Sequence, residues 1–144
     1  MRHRYVEGGE VTQTKVLIVD VDRNVHERLR RALSFTGAQV SGTSGSENVL
    51  RRVELEAPDL IILDIPYQES DRWETLLYIR EQLPDMPVIA LTTPDDAGST
   101  VDCLRHGADY SMTKPVRVRE LQARIRALLR RSRSVAPLTL ATMS

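Results

Sequence analysis

Three short, unbroken apolar runs constrain this chain more than anything else in it: Val16-Leu17-Ile18-Val19, Leu60-Ile61-Ile62-Leu63 and Val88-Ile89-Ala90-Leu91. A strand with one wet face alternates apolar and polar residues, whereas a continuous run suits a strand of a parallel sheet covered on both faces. Two weaker strands fit at Ala38–Thr43 and Ala108–Thr113. The intervening segments have helical spacing. Val25, Leu29, Ala32 and Leu33 share a face, with Gly37 as a stop; Val49, Leu50, Val53 and Ala57 form a second, ended by Pro58. Trp73, Leu76, Leu77, Ile79 and Leu83 form a third, with Asp71 and Glu74 at capping-box spacing and Pro84 beyond the end. Val118, Leu121, Ile125 and Leu128 form the last, while Ala97–His106 is the poorest helix because Gly98, Ser99 and Thr100 lower its propensity. Five strand-helix units in succession predict an α/β fold: a five-stranded parallel sheet, doubly wound, with right-handed crossovers.

The rest of the chain bounds the answer. Its 144 residues suit one domain, read here as a flexible leader (1–14), a folded body (15–133) and a tail or start of a linker (134–144). Twenty basic residues balance twenty acidic ones, so net charge favours neither nucleic acid nor membrane as a partner. The single Cys103 excludes a disulfide framework, and His3, His26 and His106 lie too far apart in sequence to suggest a metal motif. No apolar run spans a bilayer and no secretory pattern opens the chain, so the expected compartment is the cytoplasm.

In open parallel sheets ligands bind beyond the carboxyl ends of the strands. Asp20 follows the first strand, Asp64 the third, Thr92 the fourth, and Thr113-Lys114-Pro115 the fifth. Each residue alone has a plain reading. A strand-end Asp is often the cap of the next helix, and Asp22 is the better cap candidate for the first helix. Together they suit phosphoryl transfer on a divalent cation. Mg²⁺ is held by one or two carboxylates while keeping waters and a phosphate oxygen, and a carboxylate can itself be the nucleophile. A lysine and a hydroxyl neutralise and position the phosphoryl oxygens.

At these residues the chain resembles the receiver domain of two-component response regulators. The resemblance runs over roughly residues 15–131, through KVLIVDVD, PDLIILDI, PVIALTT and GADYSMTKP to RELQARIRALLRR. It implies the flavodoxin-like strand order 2-1-3-4-5 and a phosphoacceptor at Asp64, served by a sensor histidine kinase or a small phosphodonor. It further implies Thr92 and Lys114 on the phosphoryl group, a cis Lys114–Pro115 bond, and Mg²⁺ held by Asp20, Asp64 and the Pro66 carbonyl, with Asp22 as a substitute ligand. The domain would be a signalling phosphoacceptor rather than an enzyme. The last helix looks most like regulators that carry a winged-helix domain after the receiver, so the chain reads as a stand-alone or excised receiver.

The departures are specific. Val21 stands where the family has a second acid that ligates the metal. Gln68 and Arg72 replace a Pro and a Gly, Thr93 is bulkier than the usual residue, and Ser111 occupies the switch-aromatic position, with Tyr110 one place early. Two rivals follow: a degenerate receiver working by protein docking without phosphate, and a flavodoxin-like carrier, whose flavin phosphate the anionic loop Asp20-Val21-Asp22 would repel. Charge is also segregated. Residues 54–74 hold seven acids against Arg72, and residues 117–133 hold seven arginines against Glu120. Without interleaved aromatics the basic helix reads as a solvated face rather than a nucleic-acid contact. The resemblance implies a homodimer through helix 4, strand 5 and helix 5, with Asp102, Asp109, Glu120 and Arg124 as its charged candidates.

Overall fold

The computed structural model describes residues 14–34, 37–67, 69–94 and 99–143, with side chains through Arg131 apart from that of Ser99. The leader up to residue 13, Gln68 and the start of the fourth helix at Ala97 and Gly98 lie outside these residues. The elements run β1 (Lys15–Val19), α1 (Arg23–Ser34), β2 (Gln39–Thr43), α2 (Ser46–Glu56), β3 (Leu60–Asp64), α3 (Glu74–Gln82), β4 (Val88–Thr92), α4 (Ser99–Arg105), β5 (Tyr110–Thr113) and α5 (Val118–Met143). All strand pairs are parallel, in the order β2-β1-β3-β4-β5. The expected five-stranded, doubly wound sheet is therefore present.

The continuous apolar runs are the central strands, and the two faces of the sheet divide their side chains. Val16, Ile18, Leu60, Ile62, Ile89 and Leu91 pack with Leu29 and Leu33 of α1 and Leu121, Ile125 and Leu128 of α5. Leu17, Val19, Ile61, Leu63, Val88 and Ala90 pack with Val49 of α2, Leu76 and Ile79 of α3 and Cys103 of α4. Alternation along each strand thus feeds two separate cores. That is why both members of every i, i+1 pair are apolar.

Local signals decide the helix ends. Asp22 caps α1 as expected, its Oδ1 accepting the Asn24 amide at 2.8 Å and the Val25 amide at 3.4 Å. Asp22→Ala is expected to lower stability by about 1 kcal/mol, read as a shifted urea midpoint with unchanged slope. The capping box at α3 does not form. The chain turns through 70–73, Glu74 donates to the Asp71 carbonyl, and Trp73 heads the helix with no side-chain cap. Leu77, expected on the buried face of α3, is half exposed, because it sits about 200° around the helix from Ile79. Helix α5 continues to Met143, through most of the segment read from sequence as a tail. In that segment Ala136, Leu138, Leu140, Ala141 and Met143 favour a helix, while Pro137 opposes it.

Candidate functional site

Register brings the candidate residues to one edge. Val19 pairs with Leu63, Asp64 with Leu91, and Thr92 with Thr113, so β1, β3, β4 and β5 end within about one residue of each other. Asp20 and Asp64 therefore finish neighbouring strands, and Lys114 follows β5, its amide bound to the Thr92 carbonyl at 2.8 Å. The Lys114–Pro115 bond is cis, as the resemblance implied.

The centre of the edge is an ion pair. Lys114 Nζ donates to Asp64 Oδ1 at 2.7 Å, with both side chains mostly buried. Burial pushes the Asp64 carboxyl above the ordinary carboxylate range; the hydrogen bond and charge of Lys114 oppose this, and the charges of Asp20 and Asp22 add to it. Burial is thus the main obstacle to ionising this carboxylate, Lys114 is the cation that opposes it, and Asp20 and Asp22 add negative charge to the same edge. Such an edge favours binding of further positive charge and disfavours anions that arrive without it.

The other candidates are placed less simply. Asp20 has a left-handed backbone (φ 59°), which Asp tolerates better than most residues, and its Oδ1 accepts the Gly45 amide at 3.1 Å. Asp22 spends its carboxylate on the α1 cap. Val21 packs against the α1–α5 core. Pro66 follows β3 beside the half-exposed Tyr67. Thr92 is wholly buried, and its hydroxyl reaches the Met112 carbonyl at 3.5 Å, the outer limit of a hydrogen bond. The hydroxyls of Thr93 and Ser111 are buried without a protein partner.

Whether this edge suits Mg²⁺ depends on its donors. Among the described residues no group of three His, Cys, Asp or Glu side chains could hold a metal. Two carboxylates that repel each other, Asp64 and Asp20, remain beside the Pro66 backbone. Mg²⁺ commonly binds through one or two carboxylates and completes its shell with water. This donor set, one acid fewer than the family's pattern because of Val21, fits an ion that keeps several of its waters.

Several residues named for a dimer surface are engaged within the chain. Asp109 pairs with Arg80 at 3.0 Å and accepts the Val88 amide at 2.8 Å. The Tyr110 hydroxyl donates to Glu120 at 2.7 Å, and the Arg124 guanidinium sits 4.0 Å from the Tyr110 ring centre. Tyr110 packs toward α5 and Ser111 is buried, in keeping with strand alternation.

Sequence reasoning passed over two assemblies. Arg80, in the last turn of α3, donates to the carbonyls of Leu83, Pro84, Met86 and Gly107 as well as pairing with Asp109. Trp73 stacks on His106 at 4.2 Å, with Arg72 4.7 Å from the Trp73 ring centre. A basic residue in a final helical turn is a known partner for the last carbonyls, so Arg80 had a local signal. The Trp73–His106 stack had none, because it joins residues 33 apart in sequence.

Comparison with known proteins identifies this arrangement. A family model for the response regulator receiver domain matches residues 16–126. The chain is 40% identical over 119 residues to the response regulator MprA of Mycobacterium leprae, covering 83% of this chain and 52% of that protein. It is 38% identical over 123 residues to the alkaline phosphatase synthesis transcriptional regulatory protein PhoP of Bacillus subtilis, covering 85% and 51%. The chain thus spans about half the length of these curated relatives. Among solved structures, the receiver domain of Francisella response regulator 1452 superposes with a TM-score of 0.71 at 25% identity, over 83% of this chain and 99% of that one. A CheY-like receiver domain protein of Methanospirillum hungatei gives 0.72 at 27%, over 85% and 98%. The chain belongs to the response regulator receiver domain family and is the receiver domain of a two-component response regulator.

Proposed function

We propose that Asp64 is the phosphoacceptor of this receiver and takes its phosphoryl group from a sensor histidine kinase in the cytoplasm. The Lys114–Asp64 pair at 2.7 Å supports this reading most directly. Lys114 holds Oδ1, so Oδ2 is the attacking atom. The Oδ2–P bond forms as the P–N bond of the donor's phosphohistidine breaks, and the departing imidazole nitrogen keeps the electron pair. The product is an acyl phosphate. Lys114 then neutralises charge on the phosphoryl oxygens, and the loosely held Thr92 hydroxyl turns from the Met112 carbonyl to donate to one of them. Asp20, Asp64 and the Pro66 carbonyl would hold Mg²⁺, with Asp22 given over to the α1 cap. When bound, the ion would screen the carboxylates from the incoming phosphate. Loss of the Thr92–Met112 contact changes β5, next to the surfaces that would dock or dimerise.

Asp64 also costs the fold something. Its raised pKa means that ionisation is less favourable in the folded state than in the unfolded chain. The stability linked to this group is present below the ordinary carboxylate range and lost as pH rises through the raised value. Asp64→Asn is therefore expected to raise the neutral-pH melting temperature by roughly 2–6 °C, the shift that about 1 kcal/mol produces. Calorimetry at neutral and acid pH checks this, since the gain should shrink in acid.

A second reading has one specific support. Val21, partly buried, packs against the core instead of offering a ligand, and Lys114 already pairs with Asp64, which suits a receiver that docks a partner without phosphate. Trp73, the only tryptophan, reports on the β3–α3 loop and separates the two readings. A phosphodonor that changes its fluorescence in the parent chain but not in Asp64→Asn supports phosphoacceptance. Partner binding that is equal in both proteins supports the docking module.

A further inference from the structure

The neutral net charge hides a polarised molecule. The two helical layers lie on opposite faces of the sheet, α1 and α5 on one side and α2 and α3 on the other. On the α1–α5 side most exposed charges are arginine, among them Arg28, Arg31, Arg119, Arg124, Arg130 and Arg131, against the acids Asp22, Glu27 and Glu120. On the α2–α3 side, including the turn before α3, they are almost all acidic, among them Glu47, Glu54, Glu69, Asp71, Glu74 and Glu81, with Arg51 as the opposing base. Pairing within the chain neutralises part of the charge on both sides, Arg52 on Glu56 and Arg80 on Asp109, and Arg30 and Arg31 on Glu27, and leaves Arg28 and Arg119 facing out on one side and Glu54 and Glu81 on the other. Between α1 and α5 runs an open groove of about 770 Å³ lined by Arg28, Arg31 and Arg119 with one acid, Glu27, which pairs with Arg31 and leaves Arg28 and Arg119 as its unmatched cations.

We propose that the basic α1–α5 groove docks the acidic α2–α3 face of a second copy of this chain, head to tail. Charge complementarity selects this occupant. A basic face alone would suit any polyanion, but here the matching acidic surface is carried on the opposite side of the same molecule. Because the two faces differ, the contact is heterologous and leaves one face of each kind free to add a further copy. A chain with zero net charge meets no overall repulsion that would prevent the approach. The contact does not use Asp64, so it is independent of phosphoacceptance at that residue.

Sedimentation velocity over a concentration series tests this, at about 0.01 M salt, where the screening length is roughly 30 Å, and at about 0.15 M, where it is roughly 8 Å. The expected result is association that grows with concentration at low salt without stopping at a dimer, and that weakens at least about tenfold at the higher salt. Arg28→Glu with Arg119→Glu should abolish it, and so should Glu54→Lys with Glu81→Lys, each variant keeping the parent's circular dichroism. An equimolar mixture of the two double variants should associate again, since each retains the face that the other lost. Asp64→Asn should associate like the parent chain, whatever the outcome at the phosphoacceptor. A salt-insensitive dimer, parent-like association by either double variant, or a mixture that stays monomeric would overturn the proposal. So would salt-sensitive binding of a labelled DNA duplex by a chain that remains monomeric, which would make the basic face a polyanion site.

Discussion

Replacing Arg80 by alanine should destabilise the fold by about 3 kcal/mol and lower the melting temperature by on the order of 10 °C. One guanidinium, three-quarters buried, closes the end of α3, the α4–β5 turn and the start of β4 together. It donates to Gly107 at 2.8 Å, to Pro84 and Met86 at 2.9 Å each, to Leu83 at 3.3 Å, and to Asp109 at 3.0 Å. Truncation leaves four carbonyls and a carboxylate short of a donor, and the carboxylate in turn loses the partner that orients it toward the Val88 amide. Lysine should recover less than half of the loss, because a point ammonium cannot serve five acceptors spread around a planar fork. Gly107 belongs to the same assembly. Its φ of 116° excludes most side chains, and a Cβ there would lie 3.0 Å from Arg80 Cγ. Arg51→Ala, at an exposed position of α2, is the control and should stay within about 0.5 kcal/mol of the parent.

Lys114→Ala should slow the formation of the phosphorylated protein by about 100-fold or more, the usual cost of removing one preorganised donor from a developing anion. It removes the cation that now opposes burial and the charges of Asp20 and Asp22 on Asp64, so the Asp64 carboxyl moves further upward and less of it is ionised. Arginine should rescue poorly. The site presents a single Asp64 carboxylate oxygen, 2.7 Å from the Lys114 ammonium, and a forked guanidinium needs a different approach. The time course of phosphoryl incorporation from a small phosphodonor, compared across the parent, Lys114→Ala and Lys114→Arg, measures both effects.

The sheet was legible because its signal is local and redundant. Continuous apolar strands feeding two cores leave no polar register to confuse, and strand-end residues follow directly from where the runs stop. Asp20, Asp64, Thr92 and Lys114 could therefore be placed on one edge before any geometry was known. What was hidden depends on side-chain choices across long separations. Thr92 and Lys114 were read as equivalent aids to one phosphoryl group, yet Lys114 contacts Asp64 while the Thr92 hydroxyl leans toward Met112. Asp109, named as a dimer candidate, also serves Arg80 and the Val88 amide within the chain, a role that no local pattern signals. Leu77 was assigned to a core face by spacing alone, and a helix covering one sheet face cannot bury that wide an arc. Charge segregation was visible as two sequence segments. Only the topology showed that they lie on opposite sides of the sheet, and that α1 joins α5 in the basic layer.

The central claim is that Asp64 carries the phosphoryl group. The most direct measurement is the intact mass of the protein after incubation with Mg²⁺ and acetyl phosphate. The expected result is the added mass of one phosphoryl group on the parent chain, lost on treatment with hydroxylamine and absent from Asp64→Asn. An unchanged mass in the parent chain, or the same addition in Asp64→Asn, would contradict it.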